Sequence, residues 1–302
     1  MITRGHGDAG PMPAIPPGRR PKRTDAVDLS RFAIDTVTLA GSLEDKLRVM
    51  RDAGFGGIEI WAKDLVTHPG GVPGAVAAIR ASGLRVSSFQ LLKDYEGLDA
   101  HLHEYKIDIA KSLLDLMDAV GAKVLVVASS TSAYASADMD KVVADMRALA
   151  TLAVPRQVRI AFGAPAWGKW INEYPAVWET VRRADRENLG VLINAFHLLA
   201  RGTTLDGIDT IPGERIFLVQ LADYLGDLKD ITETADHRRA FPNESAHRDV
   251  IGTLVRKIHR AGYRGDYVFE VFNDEYLHLA PESIVGRARK AAQWIIAETA
   301  QS

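Results

Sequence analysis

Several polar side chains stand inside short apolar runs of this chain, where a buried polar group is costly unless it is paired or functional. Glu59 interrupts the run GIEIW, and Glu270 interrupts the run VFEVF. Carboxylate, amide and imidazole groups gathered in one place can bind a metal ion, transfer protons or hold a small polar ligand. Such residues occur at comparable places along the chain, and the candidates are Glu59, Gln90, Ser129, Asn194, His197, Gln220 and Glu270.

The candidates share a position because each lies at or just after the end of a β-type run. From these runs we predict eight strands, one in each run. They lie over Phe32–Val37, Gly57–Trp61, Arg85–Gln90, Lys123–Ala128, Val158–Phe162, Gly190–Asn194, Arg215–Leu221 and Tyr267–Val271. A helical pattern follows each strand, which predicts a single α/β domain with the (β/α)₈ TIM-barrel fold. The carboxyl ends of the strands meet on one face of that fold, so the candidates should line one pocket.

The helical patterns are uneven in strength. Seven are clear, over Ser42–Ala53, Val72–Ser82, Leu102–Val120, Ala137–Ala153, Pro175–Asp185, Ala246–Ala261 and Glu282–Ala297. The sixth strand is followed by a weak helical stretch near Leu205–Ile208. An open, doubly wound sheet is the competing fold, but the turn after the first strand reads TLAG and lacks the G-x-G-x-x-G pattern of a dinucleotide site.

The composition excludes several classes of function. The chain has 302 residues, 47% of them hydrophobic, with a net charge of −2 and a pI of about 6.5. These values are ordinary for a globular protein and offer no basic surface for nucleic acid. No apolar stretch is long enough for a membrane span, and the absence of cysteine excludes disulfides and Cys-ligated zinc. We expect a cytoplasmic protein with a small-molecule ligand, and self-association into a homo-oligomer stays open.

Residues 1–28 differ from the rest of the chain. They carry five prolines, several glycines and the basic cluster RRPKR, with few apolar residues. Such a segment cannot bury enough apolar surface to offset its ordering entropy, so we expect a disordered, flexible arm. Residues 29–302 are then expected to form the barrel.

Seven segments of the chain resemble one enzyme family. They read IEIWAKDL, FQLLKDYEG, AWGKWINEYPAVW, FHLLARG, IPGERIFLVQLAD, HRRAFP and GYRGDYVFEVFND. In order and spacing they resemble the bacterial 3-dehydroshikimate dehydratases, which belong to the xylose-isomerase-like, sugar-phosphate isomerase/epimerase barrels. The resemblance extends from about Arg31 to Trp294 and implies chemistry on a cyclic polyhydroxy keto acid.

The resemblance also implies a divalent metal (Mg²⁺, Mn²⁺ or Co²⁺) held by a Glu, an Asp, a Gln and a second Glu at four strand ends. On this chain those positions are Gly163, Asn194, Gln220 and Glu270. Hard divalent cations are held chiefly by carboxylate oxygens, and two of the implied carboxylates are missing. Their loss should weaken binding by roughly 3–5 kcal/mol or more. We therefore expect no resident cofactor, with at most weak binding of these metals to a vestigial site.

Further roles follow from the resemblance. His197 in AFHLL matches the position of a base or substrate contact, and Arg239 in DHRRAFP matches a region that binds the substrate carboxylate. The candidates for catalysis are thus His197, Glu59 and His237, and those for substrate binding are Arg239, Gln90, Gln220, Glu270 and Asn194.

Three functional hypotheses stay open. The first is a lyase or isomerase that kept the pocket and works without the metal, with His197 as the base and Arg239 as the carboxylate clamp. The second is a pseudoenzyme, a binding or regulatory subunit that retains the ligand pocket. The third is a metal-dependent dehydratase that recruits other ligands, for instance Asn194 with Glu244.

Overall fold

Eight parallel strands close into a barrel in the computed structural model, which describes residues 27–226 and 236–301. The barrel strands are β1 (Phe32–Asp35), β2 (Gly57–Trp61), β3 (Arg85–Lys93), β4 (Val124–Ala128), β5 (Arg159–Gly163), β6 (Leu189–Asn194), β7 (Ile216–Leu221) and β10 (Tyr267–Phe269). Each pairs in parallel with its neighbours in chain order, and β10 closes the ring against β1. The TIM-barrel prediction is confirmed, and the eight strands lie where they were expected.

The helices surround the barrel. They are α1 (Leu43–Asp52), α2 (Ala62–Val66), α3 (Gly71–Ser82), α4 (Ala100–Val120), α5 (Met139–Ala153), α6 (Tyr174–Ala184), α7 (Ala195–Arg201), α8 (Arg248–Arg260) and α9 (Pro281–Ala300). The expected cap of α1 is present, because Ser42 Oγ accepts from the backbone N–H of Asp45 at 3.1 Å. Gly121 ends α4 at a φ of +72°, a left-handed conformation that favours glycine.

The sixth βα unit corrects one expectation. The helix that follows β6 is α7, which begins directly after the strand, and not the weak stretch near Leu205–Ile208. Only a short 3₁₀ turn, Ile208–Thr210, lies near that stretch. The loop after β7 carries a further unexpected feature, a short antiparallel pair formed by β8 (Asp223–Tyr224) and β9 (Arg239–Ala240). This pair brings Arg239 back over the end of the barrel.

Apolar packing divides into two layers. The larger lies between the strands and the helices, and the smaller fills the barrel interior with Ala33, Val124, Val126, Ala161, Leu192, Phe217, Leu218 and Val268. The interior is therefore a packed core. The polar residues of interest stand on the carboxyl end of this core.

Among the described residues, no helix is long and apolar enough to cross a membrane. Residues 1–26, which make up nearly all of the expected arm, lie outside the described part of the chain.

Candidate functional site at the carboxyl end of the barrel

The strand register places the predicted polar residues side by side. Asn194 at the end of β6 is paired with Gln220 on β7, and Glu59 on β2 is paired with Asp35 at the end of β1. Ser88 on β3 is the other neighbour of Glu59. The barrel thus brings residues that are far apart in sequence together at its carboxyl end, as the predicted strand ends require. We call this polar surface the floor of the site; it is formed by Asp35, Glu59, Ser88, Asn194 and Gln220.

A hydrogen-bond network joins this floor. Asn194 Nδ2 donates to Gln220 Oε1 at 2.9 Å and to Glu270 Oε2 at 2.8 Å. Gln220 Nε2 in turn donates to Glu59 Oε1 at 2.8 Å. Asn194 Oδ1 accepts from the backbone N–H of His197 at 3.3 Å and so caps α7. Three of the four positions implied for a metal are therefore joined through Asn194, which is bonded to the other two.

Three carboxyl groups meet beneath the network. Oxygen atoms of Asp35, Glu59 and Glu270 lie within 4.8 Å of one another, and all three residues are buried. Gln90 donates to Asp35, and Ser88 donates to Glu59. Burial, followed by the charge of Glu270, raises the pKa of Glu59 to about 7. Burial and the charges of Glu59 and Glu270 likewise raise the pKa of Asp35 well above its usual value. Burial and like charge thus favour the protonated forms of these carboxyl groups.

Arg239 is the cation of the site, and it is 2% exposed. Its Nη1 atom donates to Glu270 Oε2 at 2.6 Å, and its Nε atom donates to Asp236 Oδ1 at 2.8 Å. The guanidinium carbon lies 4.2 Å from the ring centroid of Phe196 and 4.7 Å from that of Phe272. Arg239 is therefore bound to two carboxylates and stacked between two rings. The sequence-based expectation of a free clamp for a substrate carboxylate did not foresee these partners.

His197 stands beside this cation at the start of α7. Burial lowers the pKa of His197 well below its usual value, and the nearby charge of Arg239 lowers it further. The imidazole is therefore neutral at pH 7. The backbone N–H of Ala166 approaches its Nδ1 atom at 3.4 Å, longer than an ordinary hydrogen bond, so this contact does not fix which ring nitrogen carries the proton. The edge of the ring faces Trp167, with centroids 5.0 Å apart.

A pocket of about 240 Å³ opens above the floor. Its walls include the rings of Trp61, Trp167 and Phe272. Five predicted site residues line it, namely Gln90, Ser129, His197, Arg239 and Glu270. Pockets for drug-sized ligands span roughly 300–1,000 Å³, so this one matches a smaller, single-ring molecule.

Other predicted site residues lie elsewhere. Glu59 is fully buried below the pocket, bonded to Ser88 and Gln220, and does not line it. The side chain of His237 is 59% exposed and lies 3.0 Å from Asp274. The pocket lining excludes His237, so the structure does not bring it to the other candidates. The assignment of Glu59 and His237 to catalysis remains a prediction, because neither side chain lines the pocket.

The four positions implied for a metal do not fit one. Gly163 offers no ligand atom, and a Cβ at this position would lie 2.7 Å from Cδ2 of Leu192. Asn194 turns its N–H groups, not its oxygen, toward Gln220 and Glu270. Glu244, the candidate for a recruited ligand, is bonded instead to Tyr276 at 2.9 Å. Divalent ions need converging oxygen lone pairs, and at these four positions N–H donors stand in their place. The converging carboxylate oxygens of the site belong instead to Asp35, Glu59 and Glu270.

Sequence reasoning missed three residues of the site. Asp35 ends β1 and faces Glu59, and a search of every strand end for carboxylates would have found it. Asp236 binds Arg239 from three residues away, a spacing visible in DHRR. Lys93 ends β3 and lines the pocket, and its Nζ atom has no hydrogen-bond or ion-pair partner among the described residues. The sequence predicted that this strand ends at Gln90, so a search of the predicted strand ends would not have identified Lys93.

Residues 47–297 match the model of the xylose isomerase-like TIM barrel family. A 3-dehydroshikimate dehydratase of Pseudomonas aeruginosa is 37% identical over 245 residues, which are 81% of this chain and 38% of that protein. An inosose isomerase of Bacillus subtilis is 25% identical over 156 residues, 50% of this chain and 53% of that protein. The chain thus spans well under two thirds of the length of these curated relatives.

A solved structure repeats the fold. The IOLI protein, whose crystal structure contains a zinc atom, superposes with a TM-score of 0.77 at 19% identity, covering 89% of this chain and 99% of that one. At this level of identity the likeness concerns the fold alone.

Proposed function

Because the chain belongs to the xylose isomerase-like TIM barrel family, we propose that it is a lyase or isomerase of cyclic polyhydroxy keto acids that works without a divalent metal. The observation that carries the proposal is the placing of a neutral, buried imidazole, His197, beside the Arg239–Glu270 pair in a single-ring-sized pocket. The similarity to a 3-dehydroshikimate dehydratase supports this substrate class, and the similarity to an inosose isomerase supports a cyclic polyhydroxy ketone as its core.

The chemistry begins with a carbon acid. In the proposed reaction, neutral His197 removes a proton from the carbon next to the substrate ketone, and the electron pair forms an enolate. The positive charge of Arg239 stabilises the enolate oxygen as its negative charge develops. Loss of a hydroxide from the ring, with the proton returned as part of water, then yields the unsaturated product. For 3-dehydroshikimate the products are protocatechuate and water.

The charged residues of the pocket suggest how the substrate is oriented. Arg239 is already bound to Asp236 and Glu270, so it is poorly placed to bind a substrate carboxylate as well. Lys93 is the lining cation without a described partner, and we assign the carboxylate to it. The amide of Gln90 lines the same pocket and is assigned to a ring hydroxyl.

Turnover tests the proposal directly. The purified protein is incubated with 3-dehydroshikimate, with and without EDTA, and the appearance of protocatechuate is followed by its ultraviolet absorbance. Turnover that resists EDTA supports the proposal, whereas turnover that EDTA abolishes contradicts the metal-free mechanism.

One observation favours a second candidate, the pseudoenzyme. The hydrogen bonds of Asn194, Gln220 and Arg239 are largely satisfied within the protein. A site of this kind can bind a ligand without converting it. Absence of turnover, together with a rise in melting temperature on adding 3-dehydroshikimate, selects this alternative.

A further inference from the structure

Gln220 and Glu270 hold two of the positions that the resemblance implies for metal ligands, and two nitrogen-bearing groups contact their oxygen atoms. The first is the amide nitrogen of Asn194, which donates to Gln220 Oε1 at 2.9 Å and to Glu270 Oε2 at 2.8 Å. Both N–H bonds of the amide are thereby used. A metal bound here would need the same oxygen lone pairs, so the amide and a metal compete for one place.

The orientation of this amide is set by its partners at both ends. Amide oxygen and nitrogen are difficult to tell apart by shape and are assigned from their hydrogen bonds. Here Asn194 is the N-cap of α7, and its Oδ1 atom accepts from the backbone N–H of His197. A flipped amide would place N–H against N–H at the helix terminus. Glu270 Oε2, which also accepts from Arg239, and the start of α7 therefore together hold Nδ2 toward Gln220 and Glu270.

The second group supplies positive charge. Arg239 Nη1 lies 2.6 Å from Glu270 Oε2, the same oxygen that Asn194 binds. The guanidinium is stacked between Phe196 and Phe272, with its carbon 4.2 Å and 4.7 Å from the two ring centroids. A stacked, fully buried guanidinium bonded to two carboxylates cannot leave without exposing those charges unpaired.

We propose that Asn194 and Arg239 together form a built-in replacement for a divalent cation, and that they exclude such ions from the site. The amide takes up the ligand lone pairs of Gln220 and Glu270, and the guanidinium balances the charge of Glu270. Four of the five N–H hydrogens of Arg239 are engaged by described residues, and one remains for an oxygen atom of a ligand. This deepens the proposed function, because it names what takes the place of the metal, but its test does not depend on turnover.

The substitution Asn194→Asp tests the inference with a nearly isosteric change. Aspartate keeps an oxygen to cap α7 and replaces the donor with a second carboxylate beside Glu270. The variant should melt at a lower temperature than the wild type, because two carboxylates then share the site. Mn²⁺ should raise its melting temperature and bind at least about tenfold more tightly than to the wild type, which is the scale of effects from metal-site partners. Isothermal titration with Mn²⁺ measures both proteins.

A matched control is available in Asn188. Its Nδ2 atom donates to two backbone carbonyls, of Ala150 at 2.8 Å and Val158 at 3.1 Å, away from the site. Asn188→Asp should lose stability without gaining a response to Mn²⁺. Adding Arg239→Met to Asn194→Asp removes the remaining cation and should tighten Mn²⁺ binding further. Unchanged Mn²⁺ binding in that double variant would contradict the role given to Arg239.

Two results would overturn the inference as a whole. One is stoichiometric Mn²⁺ binding by the wild type, and the other is a folded Asn194→Asp variant that binds no Mn²⁺. If the variant does not fold, the wild type supplies the readout through the side-chain NH₂ protons of Asn194 in a ¹⁵N NMR spectrum. Both protons should exchange slowly with solvent and remain sharp when Mn²⁺ is added. Broadening by substoichiometric Mn²⁺ would show that the ion reaches the amide.

Discussion

Leu192 occupies the space in which a side chain at Gly163 would begin. A Cβ atom at Gly163 would lie 2.7 Å from Leu192 Cδ2 and 3.0 Å from Leu192 Cγ, closer than real Cβ atoms approach other groups. Leu192 belongs to the apolar cluster inside the barrel. A carboxylate side chain at position 163 would therefore find no open space, because a neighbouring apolar side chain fills the start of its path.

This packing predicts that restoring the family pattern takes three substitutions. Gly163→Glu with Asn194→Asp should bind Mn²⁺ no more tightly than Asn194→Asp alone and lose about 1–3 kcal/mol of stability through overpacking. Adding Leu192→Ala makes room, and Mn²⁺ should then bind at least about tenfold more tightly than to the double variant. Isothermal titration and thermal melts measure both effects. Leu192→Ala alone is the control and should bind no Mn²⁺; a triple variant that folds but binds no better than the double variant would contradict the packing argument.

The carboxyl cluster predicts an unusual dependence of stability on pH. Burial and Glu270 raise the pKa of Glu59 from 4.5 to about 7, so the folded protein keeps a proton there that the unfolded chain loses. Between pH 4.5 and 7 the folded state binds more protons, and its stability from this group falls as the pH rises. The loss levels off above pH 7 and amounts to about 3 kcal/mol at most.

Glu59→Gln should remove this component, because glutamine does not ionise. Urea unfolding at pH 5 and pH 8 should show a smaller loss of stability for Glu59→Gln than for the wild type. The exposed Glu187 provides the control, and Glu187→Gln should follow the wild-type curve. Parallel curves for the wild type and Glu59→Gln would show that Glu59 is ionised throughout this range.

The barrel could be predicted because its strands are continuous apolar runs with polar residues only at their ends. The run GVLIN, for example, predicted β6 and placed Asn194 at its end. The helix α7 that follows β6 was not predicted, and Asn194 explains why. We interpreted Asn194 as an altered metal ligand, whereas asparagine is also a favoured N-cap, and its Oδ1 atom starts α7. The sequence pattern therefore pointed to one possible role of Asn194 and not to its role as a helix cap.

The state of Arg239 could not be predicted in the same way. Its partner Glu270 lies 31 residues further along the chain, and its ring partners Phe196 and Phe272 come from different βα units. The contact depends on the short pairing of β8 with β9, too brief to leave a periodic pattern. Sequence could therefore propose that an arginine serves the pocket, but not that two carboxylates already bind it.

Substitution of the two histidines suggested for catalysis should affect kcat to very different extents. His197 lines the pocket, so His197→Asn should lower kcat by about 10²–10⁴-fold, the usual contribution of a proton-transfer group. His237 is exposed and pairs with Asp274. His237→Asn should therefore change kcat by less than roughly threefold, the small effect expected of a surface substitution. Because the pKa of His197 is lowered, kcat/KM should stay level from pH 8 to below pH 6.5. Similar losses in both variants would contradict the assignment of the base to His197.

Lys93 gives the sharpest test of how the substrate is oriented. Lys93 lines the pocket, and its ammonium has no partner among the described residues, while Arg239 is bound to Asp236 and Glu270. If Lys93 binds the substrate carboxylate, Lys93→Met should raise KM for 3-dehydroshikimate about 10–100-fold, the scale of a hydrogen bond to a charged group, with little change in kcat.

A neutral cyclic ketone separates this role from a general loss of the pocket. Binding of an inosose, which carries no carboxylate, should change less than about twofold in Lys93→Met, because the lost charge has no partner on that ligand. Lys63 is a suitable control, since its Nζ atom lies 5.0 Å from the ring of Trp61 and outside the pocket lining. Lys63→Met should leave both ligands unaffected. Equal weakening of the acid and the neutral ketone by Lys93→Met would mean that Lys93 shapes the pocket and does not bind the carboxylate, and the orientation proposed for the substrate would be wrong.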